Sequence, residues 1–250
     1  MKKNNYKEDL DFLIKVAKES AEIIENGQME VKDKGENDLV TNLDYAVERH
    51  IIERINTFYP HFDIVSEEFN SKKELTENCF TIDPIDGTIN FAHGLPYWAI
   101  QISCIREGEI VAAVIFSPCT NQLFSATLGG GAFCNDKQIF VNNLPLNRNI
   151  FTAHGSSRQT PLITKIYEKM NGKASNYRRI GATSLSFAYL ANGSLGGMVI
   201  LSPTIWDDTP GLLICQEAGA KIKRLKAGFI IAGNSDEFIE TTSKIINEII

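Results

Sequence analysis

The sequence predicts an α+β first half running without a linker into an α/β second half. Three observations predict it. Two stretches near the start carry apolar residues at helical spacing, residues 98–128 read as consecutive β segments broken by turns, and after residue 145 strand and helix patterns alternate. The expected division is an N-terminal half, 1–145, with an antiparallel sheet, and a C-terminal half, 146–250. With no linker between them, the two are expected to pack as one functional unit.

The elements follow in order. Residues 7–26 place Leu10, Leu13, Val16, Ala17, Ala21 and Ile24 on one helical face, and Gly27 is the stop. The polar, glycine-containing stretch VKDKGENDLVT reads as a mobile loop or a hairpin. A second helix starts at Thr41, with Leu43, Val47, Ile51, Ile52 and Ile55 on one side. HFDIVSEEF reads as a strand entering an acidic turn, and CFTID as a strand ending at Asp83. WAIQISCI, IVAAVIF and LFSATL are strands joined by the turns REGE and SPCTNQ. Gly129-Gly130-Gly131 and Asn135-Asp136 add the further turns of an antiparallel meander. The second half then predicts a strand near 150, a helix over 161–170, a strand near 178, a helix over 183–192, a strand near 198 and a helix over 208–218. It closes with the strand FIIAG and a helix over 235–249.

Composition narrows the function. At 250 residues and a net charge of −6 the chain has no general basic surface for a nucleic-acid polymer. No apolar run reaches the length of a membrane span, and the basic N-terminus lacks the apolar core of a signal peptide. Five scattered cysteines without C-x-x-C spacing read as reduced thiols in a cytoplasmic protein. The four histidines, equally scattered, read as structural or exposed.

Acids cluster where strands end: Glu67-Glu68 after DIVS, Asp83 and Asp86 after CFTI, and Asp207-Asp208 after TIW. Asp207 opens a helix in which Pro210 falls in the first turn. Glu67, Asp83, Asp86 and Asp207 together would carry a charge of about −4, untenable without counterions. All-oxygen ligands without histidine or cysteine point to Mg²⁺ or Mn²⁺. Pro84 stiffens the turn between Asp83 and Asp86 and leaves the Ile85 carbonyl exposed, while Gly87 and Thr88 offer free N–H groups at a helix start, an anion site. The ordinary reading of such acids is as helix caps and solvated turn residues. It is favoured for Glu68 and Asp208, and Thr41-Asn-Leu-Asp44 matches a capping box. It is weak for Asp83 and Asp86, set between FTI and INF.

Two other motifs compete, the first excluded and the second left as an outside alternative. An EF-hand with Gly87 at its sixth position would need carboxylates at Ile82, Pro84 and His93. The D-x-D-G-T of haloacid-dehalogenase-type phosphatases is one residue shorter than D-P-I-D-G-T.

DPIDGTINF, the upstream Glu67-Glu68 and WDDTPGLLICQEAGA resemble the motifs of the inositol monophosphatase family of Mg²⁺-dependent, Li⁺-sensitive phosphatases. KGENDLVTNLD is similar to that family's N-terminal loop and GGGAFCN to its glycine-rich hairpin, so the likeness spans nearly the whole chain in order. The resemblance implies a layered αβαβα sandwich, a homodimer, two or three Mg²⁺ ions per subunit with Mn²⁺ as a substitute, and a small phosphorylated metabolite as substrate. It implies that Glu67, Asp83 and the Ile85 carbonyl hold a first ion, and Asp83, Asp86 and Asp207 a second. Glu67 is also counted with the catalytic groups. Gly87 and Thr88, with Asp86 beside them, take the phosphate, and Asp44 accepts from the Thr88 hydroxyl to orient the attacking water. The implied chemistry is two-metal activation of water with no covalent intermediate.

Departures bear on the substrate. The glutamate that contacts ring hydroxyls in the family's inositol phosphatases falls at Ile200 here, W-D-x-A-A-G reads W-D-D-T-P-G, and the substrate loop is Gly181-Ala182-Thr183. SPTIWDDTPG is closer to the branch acting on adenosine 3′,5′-bisphosphate. Arg158, Arg178 and Arg179 either pair with a second phosphate or are solvated surface charge. A 3′(2′),5′-bisphosphate nucleotidase and a sugar bisphosphatase are therefore alternatives. A catalytically silent metal- or phosphate-binding homologue is the outside one, disfavoured because every ligand position holds an oxygen donor.

Overall fold

Helical spacing near the start produces α1 (Lys7–Asn26) and α2 (Asn42–Phe58), whose faces of Leu13, Val16, Ala17 and Ala21, and of Leu43, Val47, Ile51 and Ile55, are buried. Each Leu, Val or Ile among them contributes roughly 1.5–3 kcal/mol on burial. The computed structural model describes residues 6–35 and 38–250. Between the helices, VKDKGENDLVT forms a hairpin of β1 (Val31–Gly35) and β2 (Asp38–Thr41), as one of the two sequence readings had it; Glu36 and Asn37 lie outside the described residues.

Both helices pack on a seven-stranded sheet in which β3 (Asp63–Ser66), β4 (Cys79–Asp86), β5 (Ala99–Arg106), β6 (Glu109–Ser117), β7 (Gln122–Thr127), β8 (Gly131–Cys134) and β9 (Lys137–Ile139) lie in sequence order. Only the β3–β4 pair is parallel; the rest is the expected meander. Alternation along β6 serves two cores. Ala112, Val114 and Phe116 join the α1 and α2 side, while Ala113 and Ile115 join the opposite one.

That opposite side is covered by α5 (Thr183–Ala191) and α6 (Ile205–Glu217). Their other flank meets a second sheet of β10 (Ile150–His154), β11 (Asn176–Arg178), β12 (Gly197–Ile200), β13 (Lys221–Arg224) and β14 (Ile230–Gly233), ordered β11-β10-β12-β14-β13. On its far face lie α4 (Thr160–Met170) and α7 (Asp236–Ile249), packed over Phe151, Val199 and Ile231. The layers run helix, sheet, helix, sheet, helix: the αβαβα sandwich that the family resemblance implies.

Three local expectations are corrected. β4 does not stop at Asp83 but runs to Asp86 through a bulge, since Asp83 faces Gln101 and Asp86 faces Ala99. Pro84 sits in that bulge, where its missing N–H breaks no ladder bond. α6 starts at Ile205, with Thr204 at the N-cap position, so Pro210 lies inside the helix beyond its first turn. β13 was absent from the sequence reading. Its KIKR has no apolar alternation, and it is a sheet edge guarded by charge.

Candidate active site

The β4 bulge turns two acids toward the end of the sheet. Asp83, fully buried, accepts from the Ile85 N–H at 3.0 Å and from Nε2 of Gln101, its cross-strand partner, at 3.2 Å. Asp86 accepts from the Ser184 N–H at 2.7 Å and from the Ser184 hydroxyl, so the positive end of α5 is directed at it. Asp207 arrives from the first turn of α6. Carboxylate oxygens of Asp83, Asp86 and Asp207 all lie within 4.8 Å of one another.

Gly87 follows with φ of 89°, and a Cβ there would stand 2.8 Å from the Tyr97 carbonyl oxygen, so the turn excludes a side chain. The short helix α3 (Thr88–Ala92) begins next. The Thr88 hydroxyl lies 3.0 Å from the Ile85 carbonyl oxygen and 3.4 Å from Asp44 Oδ1. Asp44 both closes the capping box and meets the Thr88 hydroxyl. Its Oδ2 closes the capping box by accepting from the Thr41 N–H at 2.7 Å and the Thr41 hydroxyl at 2.6 Å, and Oδ1 remains for Thr88.

Glu67 enters from the turn after β3, and its Oε1 accepts from Lys34 Nζ of the β1–β2 hairpin at 3.2 Å. Lys34 also reaches Glu68 at 2.6 Å. Burial opposes the Lys34 charge, but Glu67 and Glu68 outweigh it and hold the ammonium above its usual range. Glu68 and Asp208 are not solvated turn residues: the Glu68 side chain is covered, and Asp208 is buried with Oδ1 unpartnered among the described residues. The chain around each packs inward, which a run of acids does not reveal.

The acids are poised electrostatically. Burial, reinforced by Asp207 and Glu68 and opposed by Lys34, pushes Glu67 up to about 8. Burial and then Asp207 push Asp86 up to about 7 against the Ser184 bonds, and burial with Glu67, Asp207 and Asp86 raises Asp83 well above the carboxylate range. Burial likewise takes Asp208 to about 8 and Asp44 to about 6. Such a set is stabilised either by protons or by cations, and its donors are all oxygens, which suits hard divalent ions.

Glu67, Asp83, Ile85, Asp86, Gly87, Thr88, Gly181, Thr183 and Asp207 border one cavity of about 670 Å³. Ala182 does not face it. It is buried at the N-terminus of α5, and its carbonyl accepts from Ser186. Ile200 lies in the cavity wall as counted from Trp206-Asp207, and of the three arginines Arg179 lines the cavity. His154, read from sequence as structural or exposed, is buried at the end of β10 and lines it too, beside Ser156 and Ser202. The signal available was its place at a strand's C-terminal end, the same signal that singled out the acids.

The sequence profile of the inositol monophosphatase family matches residues 5–249. The chain is 34% identical over 235 residues to an inositol-1-monophosphatase of Rhizobium meliloti (strain 1021), covering 89% of this chain and 86% of that one. It is 31% identical over 251 residues to the Nus factor SuhB of Pasteurella multocida (strain Pm70), covering 96% and 94%. The solved structure of a Thermotoga maritima IMPase superposes with a TM-score of 0.86 at 30% identity, over 96% of this chain and 99% of that one. With the layered sandwich and the acidic cavity between its sheets, these likenesses show that the chain belongs to the inositol monophosphatase family.

Proposed function

We propose that this protein is a Mg²⁺-dependent phosphomonoesterase that hydrolyses a small phosphorylated metabolite by two-metal activation of water. The observation that carries the reading is the convergence of Asp83, Asp86 and Asp207 within 4.8 Å at the floor of a cavity that Glu67 and the Gly87–Thr88 turn also border. Glu67, Asp83 and the Ile85 carbonyl are the proposed ligands of one ion, and Asp83, Asp86 and Asp207 those of the other. The chemistry such ions supply when bound is charge neutralisation at the phosphate and a lowered pKa of the attacking water.

The protein's own groups divide the remaining work. Gly87 and Thr88 present backbone N–H groups to the phosphate at the start of α3, and the left-handed Gly87 keeps that approach open. Thr88 and Asp44 form the proton-accepting pair that orients the water, with the Asp44 carboxylate fixed by the Thr41 cap. Lys34 covers Glu67 from the hairpin side. Lithium sensitivity, a homodimeric assembly and a cytoplasmic setting belong to the same proposal, and no helix of the described residues is long and apolar enough to cross a membrane.

Two observations favour a bisphosphate over an inositol phosphate as substrate: Ile200 in the wall and the guanidinium of Arg179 at the cavity. The test is turnover of inositol 1-phosphate, adenosine 3′,5′-bisphosphate, fructose 1,6-bisphosphate, NADP and histidinol phosphate with Mg²⁺ and with chelator. Mg²⁺-dependent release of phosphate from at least one ester is expected. Release from none supports a catalytically silent homologue instead.

A further inference from the structure

His154 ends β10 inside the cavity, with its ring against two hydroxyls. Nε2 lies 2.6 Å from Ser186 Oγ and 3.2 Å from Thr152 Oγ1. The Ser186 hydroxyl also reaches the Ala182 carbonyl at 3.0 Å; with its hydrogen on that carbonyl its oxygen accepts from the ring, and we assign the imidazole proton to Nε2 on that arrangement. Nδ1 is then the nitrogen with the lone pair. No described residue bonds it, yet it is not a sealed, unsatisfied atom: it opens on the cavity that the ring lines.

Two neighbours define what can approach that lone pair. Ile200 is the direct partner of His154 in the parallel register of β10 and β12, and it offers only hydrocarbon. Arg179 lines the same cavity without a carboxylate partner among the described residues. Its positive field disfavours an ammonium donor and favours an anion. Burial, aided by Arg179, holds His154 down at about 4, so the ring is neutral and its Nδ1 available over the physiological range.

The geometry points to His154 as a specificity-determining residue: its Nδ1 accepts a hydrogen bond from an uncharged hydroxyl or N–H of the leaving alcohol, while carbon of that group rests on Ile200 and a second anionic group faces Arg179. This inference rests on the phosphomonoesterase reading. Sugar and nucleoside bisphosphates share the required chemistry, and the experiment separates them.

The experiment measures kcat/KM with Mg²⁺ for fructose 1,6-bisphosphate, adenosine 3′,5′-bisphosphate and p-nitrophenyl phosphate, the last lacking any donor or second anion. Wild type, His154→Leu and His154→Asn are compared; Asn retains an acceptor near the position of Nδ1. For whichever bisphosphate is the substrate, His154→Leu is expected to lower the ratio of its kcat/KM to that of p-nitrophenyl phosphate by about tenfold, mainly through KM. His154→Asn is expected to recover most of that ratio. A ratio unchanged within about twofold in His154→Leu, or an Asn variant no better than Leu, overturns the proposal. Should His154→Leu fail to fold, Ser186→Ala gives the second reading. Removing the nearer partner of Nε2 is expected to lower the same ratio by about threefold, and no change overturns the proposal. Absence of turnover of all three esters by wild type instead overturns the phosphatase reading itself, and this inference with it.

Discussion

Glu48 of α2 and the backbone of Glu68 are joined across the two layers: the Glu68 N–H donates to Glu48 Oε2 at 2.9 Å. The Phe69 N–H and the Ser66 hydroxyl donate to the other oxygen, at 2.8 and 2.5 Å, and the carboxylate is fully buried. Burial raises Glu48 above its ordinary range while these three donors pull it back. The turn that carries Glu67 is thus fixed by a side chain one helical turn beyond Asp44, so α2 braces both the acid that meets Thr88 and the loop of a proposed ligand.

Glu48→Gln keeps one acceptor oxygen but turns an amide N–H₂ toward a backbone donor. The expected loss is about 1–3 kcal/mol of stability, with a rise in the Mg²⁺ concentration needed for half-maximal turnover. Urea unfolding and a Mg²⁺ titration check it. Unaltered stability together with an unaltered Mg²⁺ requirement would show that the turn holds itself.

Asp83→Asn removes the one carboxylate proposed to face both ions. The expected loss is at least about 3 kcal/mol of transition-state stabilisation, roughly a hundredfold in rate. The measurement is kcat/KM at saturating Mg²⁺, and near-normal activity there would sink the two-metal assignment.

Thr88→Ala keeps the backbone N–H proposed to face the phosphate and deletes the hydroxyl that stands 3.4 Å from Asp44. Its kcat is expected to fall far more than its affinity for inorganic phosphate weakens. The opposite split, with kcat intact and phosphate affinity lost, contradicts the pairing with Asp44.

The acids were legible in the sequence because Glu67 follows a strand pattern, Asp207 opens a helix, and D-P-I-D-G-T compresses Asp83 and Asp86 around a bulge. The helix faces were legible for the same local reason: Leu13, Val16 and Ala17, or Val47, Ile51 and Ile55, declare one buried side by their spacing alone. His154 was legible only as a residue near the end of a strand, not as part of the site. A single histidine carries no periodicity, and its placement depends on β10 lying parallel beside β12, a pairing between segments some 46 positions apart, from His154 to Ile200. β13 was hidden because an edge strand needs no apolar alternation, and the brace from Glu48 because a buried carboxylate looks on paper like any exposed helical acid.

His154 also links stability to pH. Its folded-state value, about 4 through burial and then Arg179, lies below the ordinary 6.5. Between these values the unfolded chain binds a proton that the folded chain does not. The contribution is therefore complete above about 6.5 and is lost progressively as pH falls toward 4, by at most about 3 kcal/mol. Urea unfolding of wild type and His154→Leu at pH 7.5 and pH 5 checks it. The variant is expected to lose less stability on acidification, and equal losses would remove His154 from the account.

Ile200 decides the last expectation, that inositol 1-phosphate is a poor substrate. The residue is 2% exposed, sits at the C-terminal end of β12 and borders the cavity, as expected from its distance to Asp207. A side wall made of Ile200 offers no partner to a ring that bears hydroxyls all round, and His154 supplies a single acceptor. Each hydroxyl buried against hydrocarbon costs about 1–3 kcal/mol, whereas a leaving group that sets a carbon face on Ile200 avoids that cost. The consequence is a kcat/KM for inositol 1-phosphate lower by about one to two orders of magnitude than that for a bisphosphate substrate. Steady-state kinetics across the five esters named above decides it. If inositol 1-phosphate gives the highest kcat/KM, Ile200 does not face the leaving group, and the ring hydroxyls find their partners elsewhere in the cavity.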